Sequence, residues 1–219
     1  MLQHFSRHVE KHLEQWKKSA NRKPLILRGA RQVGKTTIVK SFSKSYKYFI
    51  NLNLEHAEAL SFFKRYDSVS KIVDALFIEH NISSSEKQNC LLFIDEIQES
   101  PKAISLLRYF YEDEPKLHVI AAGSLLENAL KKVKSFPVGR VSYLYVHPMN
   151  FEEFLDAKRH QLALKHLNKL PVNLSAHYTL LDLFHEYAII GGMPEVIQAY
   201  LTTGNISDLP RAFKQPVLS

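Results

Sequence analysis

Gly29, Gly34, Lys35 and Thr36 stand in the spacing G-x-x-x-x-G-K-T, inside "LILRGARQVGKTTIVKSF" at 25–42. Glycines let a backbone curl until successive N–H groups face one anion. A helix opening at Lys35 adds its positive dipole end and its open N–H groups. Lys35 can then reach the outer phosphates of a nucleotide, and the Thr36 hydroxyl can ligate Mg²⁺. Such a cradle would be formed by Gly29, Ala30, Arg31, Gln32, Val33, Gly34, Lys35, Thr36 and Thr37. The pattern has its meaning only between an apolar strand and a helix, and the flanking residues supply both.

A second group decides the type of chemistry. "LLFIDE" ends an apolar run on Asp95 and Glu96. At the carboxyl end of a parallel strand, Asp95 would face the metal through water. Glu96 beside it can polarise a water for attack on the γ-phosphate. A GTPase would carry an Asn-Lys-x-Asp base-reading motif. The nearest string, "NKLP" at 168–171, lacks the aspartate. A small-molecule kinase usually lacks the glutamate directly after the metal acid. Hydrolysis of ATP is therefore favoured. Ser124 ends "VIAAGS", where it can sense the γ-phosphate or merely cap the helix opened by "SLLE". Arg140 precedes the apolar stretch "VSYLYV", where it can stabilise charge on a transferring phosphoryl group or simply sit on the surface.

The elements needed to hold these residues are legible from periodicity. Leu2, Phe5, Val9, Leu13 and Trp16 predict an amphipathic helix over 2–18. Strands are predicted at 25–27, 46–54, 90–94, 116–122 and 141–146. Helices are expected at 36–43, 56–65, 69–80 and 101–111, the last opened by Ser100 and Pro101. "NISSSEKQN" at 81–89 reads as a polar loop. This alternation predicts a parallel α/β sheet covered on both faces. From 150 the pattern turns helical. Asn150 and Glu153 form a helix-start pair, helices are expected at 150–168 and 175–190, and "GGMP" at 191–194 precedes a short one. A domain boundary is placed near 148.

The totals limit the classes. The chain has 219 residues, 45% hydrophobic and 23% charged, enough for one full core and part of a second. A lone cysteine, Cys90 in "NCLLFI", excludes a disulfide framework and points to the cytoplasm, with burial as its expected role. No run has membrane-span length, so no membrane association is expected. The net charge of +7 suits phosphate-bearing partners, nucleotide or nucleic acid. It is scattered over short runs without interleaved aromatics, unlike a base-stacking surface. His4, His8 and His12 recur at helical steps, but a solvated face explains them better than a metal site. The closing "GNISDLPRAFKQPVLS" is expected to fray.

With these residues in view, the chain resembles the AAA-type ATPases, in particular the bacterial and archaeal group whose phosphate loop reads "RG-x-RQ-x-GKT". The matching stretches are "LRGARQVGKTT", "FIDEIQ", "AAGSLL", "VGRV", "HPMNFEEFL" and "GGMPEVI", in the family's order and covering about 170 residues. The resemblance implies a P-loop NTPase three-layer sandwich with sheet order 5-1-4-3-2, in a core over 1–148. A helical lid, or the start of a C-terminal domain, would follow over 149–219. It implies ATP with Mg²⁺, Lys35 and Thr36 on phosphates and metal, Asp95 on the metal, and Glu96 as base. Ser124 matches the sensor position, although Leu125 follows where a second serine is commoner. Arg140 matches an arginine that in AAA proteins often acts on a neighbouring subunit's nucleotide, so self-assembly is implied. Gln98 follows the acid pair with no role readable from spacing. Members usually continue past the GGMP segment, whereas this chain ends at Ser219 as a short form or as a piece of a longer protein. The expected function is an ATP-binding, ATP-hydrolysing switch acting on itself or another protein. The alternatives are a nucleic-acid-handling ATPase, such as a loader or transposition helper, and a small-molecule kinase.

Overall fold

The computed structural model describes residues 5–124, 139–169 and 173–204. They form two compact units. One comprises Lys11–Arg31 and Lys35–Val146. The other comprises the described parts of Met1–Glu10, Gln32–Gly34 and His147–Ser219.

The first unit is built on five parallel strands: β1 Leu25–Arg28, β2 Tyr48–Asn53, β3 Cys90–Asp95, β4 His118–Ala122 and β5 Ser142–Tyr145. Their order is β2-β3-β4-β1-β5, the expected 5-1-4-3-2 read from the other edge. Leu25 pairs with Ile120 and Ser142, and Leu91 pairs with His118, so the strands are closely in step. β3 and β4 are buried along their whole length, which is why they read as unbroken apolar runs. Cys90, Leu92 and Ile94 join a core with Ile72, Leu76, Ile104 and Leu107. Leu91 and Phe93 point to the opposite face by the pleat and are equally buried. Burial pushes the Cys90 thiol up to about 12, so it packs rather than reacts.

Helices α2 Lys35–Phe42, α3 Ala57–Arg65, α4 Val69–Glu79 and α5 Pro101–Asp113 connect the strands. The Ser100 side chain accepts from Ala103 N–H, and Pro101 occupies the first helical position, as expected. The predicted polar loop instead holds a 3-10 turn, Ser84–Asn89, capped by Ser83. Asn81 ends α4 in the left-handed region, with Ile82 N–H donating to Phe77 O. Helix α1 is Val9–Lys18, shorter than the expected span, and Leu2 lies outside the described residues. It starts late because Glu10 accepts the Arg7 N–H and Glu153 accepts the His8 N–H.

The second unit packs α6 Phe151–Ala157, α7 Gln161–Leu167, α8 Leu174–Ile190 and α9 Pro194–Thr203 around Phe154, Leu155, Leu180, Ile190 and Ile197. Asn150 and Glu153 close a full capping box on α6. The single helix expected over 150–168 breaks at Arg159, whose φ is +58°. Its N–H bonds to Asp156 O and that of His160 bonds to Leu155 O, a helix stop normally built on glycine. A Cβ on Gly192 would lie 2.2 Å from Met149 O, while Met149 N–H donates to Gly192 O at 2.7 Å. Only glycine allows that approach. The "SLLE" helix and the closing tail lie outside the described residues. No described helix is long and apolar enough to cross a membrane.

At the amino end of the sheet, the Tyr46 hydroxyl and His118 Nδ1 lie 2.6 Å apart, with the Trp16 ring edge-on to His118. Burial, aided by Arg22 and Lys17, drops the His118 pKa to about 3. The unfolded imidazole takes its proton near 6.5 and the folded one far lower, so stability falls as pH drops below 6.5. The loss should reach about 2 kcal/mol between pH 7 and pH 5, read from urea midpoints. In His118→Gln the pH slope should flatten; an equal slope would place the proton uptake elsewhere.

Candidate nucleotide-binding site

The loop after β1 turns through Gly29 at φ +151°, Gln32 at +63° and Gly34 at +94°. A side chain at Gly34 would be strained whatever the space around it. Helix α2 then opens on Lys35 with no acid in its first turn, which leaves its positive end to an outside anion. Lys35 Nζ donates to Gly29 O at 2.9 Å and Ala30 O at 2.7 Å, folded onto its own loop. Burial lowers its pKa, opposed by the charges of Glu96 and Asp95.

Parallel pairing of β3 to β4 and of β4 to β1 brings the ends of these strands to one edge. There the Thr36 hydroxyl donates to Asp95 Oδ2 at 2.8 Å. Asp95 is 6% exposed. Burial raises its pKa, opposed by the Thr36 bond and by the Glu96 N–H at 3.1 Å from Oδ1. Two hard oxygens side by side suit Mg²⁺, which keeps several waters and takes few protein ligands. Among the described residues no group of three or more His, Cys, Asp or Glu could hold a metal. His4 lies outside them, and His8 faces Glu152 and Asn150.

Glu96 occupies the left-handed region at φ 49°, ψ 46°, an uncommon conformation for a side chain of its size. Gln98 Nε2 donates to Glu96 Oε2 at 2.6 Å, and Gln98 Oε1 is buried without a hydrogen-bond partner among the described residues. Spacing alone gives Gln98 no role; its contact with the acid arises from the 3-10 turn Ile97–Glu99, which carries no sequence signal of its own. Ser124 follows β4 after one intervening residue, Gly123, and so lies at the same end of the sheet as the loop.

Arg140 lies elsewhere. It precedes β5, whose Ser142 pairs with Leu25, so it sits at the amino end of the sheet. Its Nε is 2.9 Å from Glu112 Oε1, and Arg108 holds the same carboxylate. The phosphate loop lies beyond the far end of β1, four residues or about 13 Å along. Within one chain, Arg140 is not brought to the loop.

The sequence matches the AAA domain family over residues 21–155, more than half the chain. No curated protein matches it. The fold is similar to the Walker-type ATPase PABY2304 of Pyrococcus abyssi, with a TM-score of 0.57 and 20% identity over 95% of this chain and 71% of that one. It is also similar to Drosophila ORC, solved bound to DNA, with a TM-score of 0.53 and 16% identity over 95% and 67% of the two chains.

A buried aspartate whose ionised form is disfavoured costs the nucleotide-free protein stability. Asp95→Asn should therefore melt above the parent at neutral pH. The sign follows from the raised pKa: the penalty exists only while Asp95 is charged, and it fades as pH falls through the folded value. A lower melting temperature in calorimetry at neutral pH would contradict this balance.

Proposed function

As the chain belongs to the AAA domain family, we propose that it binds ATP with Mg²⁺ and hydrolyses it as a molecular switch. The observation that carries this reading is the Thr36–Asp95 contact of 2.8 Å beside Lys35 at the start of α2. Binding exchanges the Lys35 bonds to Gly29 and Ala30 for bonds to the outer phosphates. Thr36 and Asp95 would hold Mg²⁺, whose charge would neutralise phosphate oxygens. Glu96 takes a proton from the attacking water as its oxygen bonds to the γ-phosphorus. The bond to the bridging oxygen breaks, and ADP leaves with that electron pair. Gln98 steadies the Glu96 carboxylate, and Ser124 orients the water or the γ-phosphate.

The helical residues after 148 serve as the moving part. Arg140 serves the nucleotide of a second copy, a reading supported by its place at the sheet end away from its own loop. The net charge of +7 favours a second reading, an ATPase that handles nucleic acid. Similarity to the fold of ORC is compatible with it. Turnover stimulated by DNA or RNA, and lost steeply with salt, would select that reading.

Lys35→Ala should weaken ATP binding about 10- to 100-fold in a fluorescent-nucleotide titration. Glu96→Gln should bind ATP normally yet turn over about 100-fold more slowly, or slower still. Equal loss of binding in both would refute the division of roles.

Turnover per chain should rise with protein concentration if Arg140 acts on a neighbour. Arg140→Ala should bind ATP but hydrolyse it poorly. Mixed with Lys35→Ala, it should regain activity, because the Lys35→Ala chain still lends its arginine. Concentration-independent turnover with no rescue would exclude action between subunits.

A further inference from the structure

Arg7 carries none of the roles assigned so far, yet it is among the most buried charges in the molecule, with its side chain 6% exposed. Its guanidinium is spent on three partners within one compact unit. Nη1 donates to Val33 O at 3.0 Å and Nη2 donates to His147 O at 2.7 Å, while Nε is ion-paired with Glu153 Oε1 at 3.2 Å without making a hydrogen bond among the described residues. Glu153 is equally buried. Its Oε1 accepts the His8 N–H at 2.7 Å and its Oε2 accepts the Asn150 N–H at 3.0 Å.

Val33 is the residue before Gly34 in the phosphate loop. In a trans peptide the carbonyl and the following N–H point in opposite directions. Fixing the Val33 carbonyl on Arg7 therefore fixes the Gly34 N–H toward the other side of the loop. Gly34 at φ +94° cannot be set by its own preferences, since glycine explores both signs of φ freely. A constraint from outside glycine's own preferences selects the turn, and Arg7 is a buried cation in contact with it. A Cβ placed on Gly34 would lie 3.7 Å from Arg7 Nη1. The planar fork of arginine can serve two carbonyls and a carboxylate at once, which a lysine cannot.

We propose that Arg7 is a positioning residue of the phosphate loop, aiming the Gly34 N–H at the bound anion, and that Glu153 ties this arrangement to the start of helix α6. The inference rests on the nucleotide reading above and names its regulation. Anion binding favours the loop conformation that Arg7 selects, and the same guanidinium holds the His147 carbonyl and Glu153. Ordering at the loop and ordering at residues 147–157 then rise and fall together.

Removing Arg7 alone strands a buried carboxylate, so Arg7→Met is destabilised for reasons unrelated to the loop. The informative variant is Arg7→Met with Glu153→Gln, which removes both charges of the buried pair while leaving an amide oxygen to accept a backbone N–H at the start of α6. Arg7→Lys is the second variant. The probes are ATP and pyrophosphate, read by titration and by hydrogen exchange with mass spectrometry. In the parent, either anion should slow exchange at 33–35 and at 151–157 together. The folded double variant should bind about tenfold more weakly or worse, the equivalent of one charge-assisted hydrogen bond. It should no longer protect 151–157 when the anion binds. Arg7→Lys should fall between the two. A folded double variant that binds within about twofold of the parent would overturn the role of Arg7. So would anion binding in the parent that leaves 151–157 unprotected. A parent that binds neither ATP nor pyrophosphate would refute the nucleotide reading, and this inference with it.

Discussion

Parallel pairing of β1 with β4, and of β4 with β3, is the constraint on which the candidate site depends. It forces the loop after β1 and the acid after β3 to leave the sheet at one edge. Because these strands are buried, their end residues arrive with little water around them. That explains why Lys35 and Asp95 are pushed in opposite directions, each toward its neutral form. The two charges support one another, but burial dominates both. Glu96 adds a left-handed backbone at the same point. Two charges held away from their charged forms and a glutamate in the left-handed region at one end of the sheet are the kind of cost that a bound ligand would offset under the proposed function.

Much of this was legible before any coordinates. β3 and β4 read as continuous apolar runs because both faces are covered, and strand-helix alternation could only be closed by a parallel sheet. The G-x-x-x-x-G-K-T string and the acid pair stand out in the sequence because a phosphate site would fix their spacing. What was hidden lacked either periodicity or punctuation. The break at Arg159 carries no glycine or proline, so the helix over 150–168 looked continuous. The start of α1 was hidden because it is set by carboxylates, one of them Glu153 from far along the chain. Gln98 touches Glu96 only through a 3-10 turn that leaves no pattern. Arg7 contacts Val33, 26 residues away, and His147, 140 away, and no local window contains either pair.

Arg140 separates what a motif says from what a topology permits. Its place in sequence, just before β5, matched an arginine that acts on phosphate in related proteins. The sheet puts the start of β5 and the end of β1 at opposite ends of two neighbouring strands. In its own chain the arginine spends its charge on Glu112, an exposed pair of the kind that adds little to stability. A charge so weakly invested is easily redirected when another molecule offers a better partner, whereas Arg7, buried, bonded to two carbonyls and paired with Glu153, is not.

The phosphate loop thus holds its carbonyls with two cations of different character. Lys35 takes those of Gly29 and Ala30 through a point charge on a flexible stem, and Arg7 takes that of Val33 through a rigid fork. An arriving anion can draw the ammonium away, since three rotatable donors re-form their bonds elsewhere at small cost. It has no such hold on the guanidinium, which would have to abandon Glu153 in a buried setting to follow it. Under the proposed function, one cation would move toward the phosphates while the other holds the backbone still. A loop whose N–H groups must stay aimed through both states needs both.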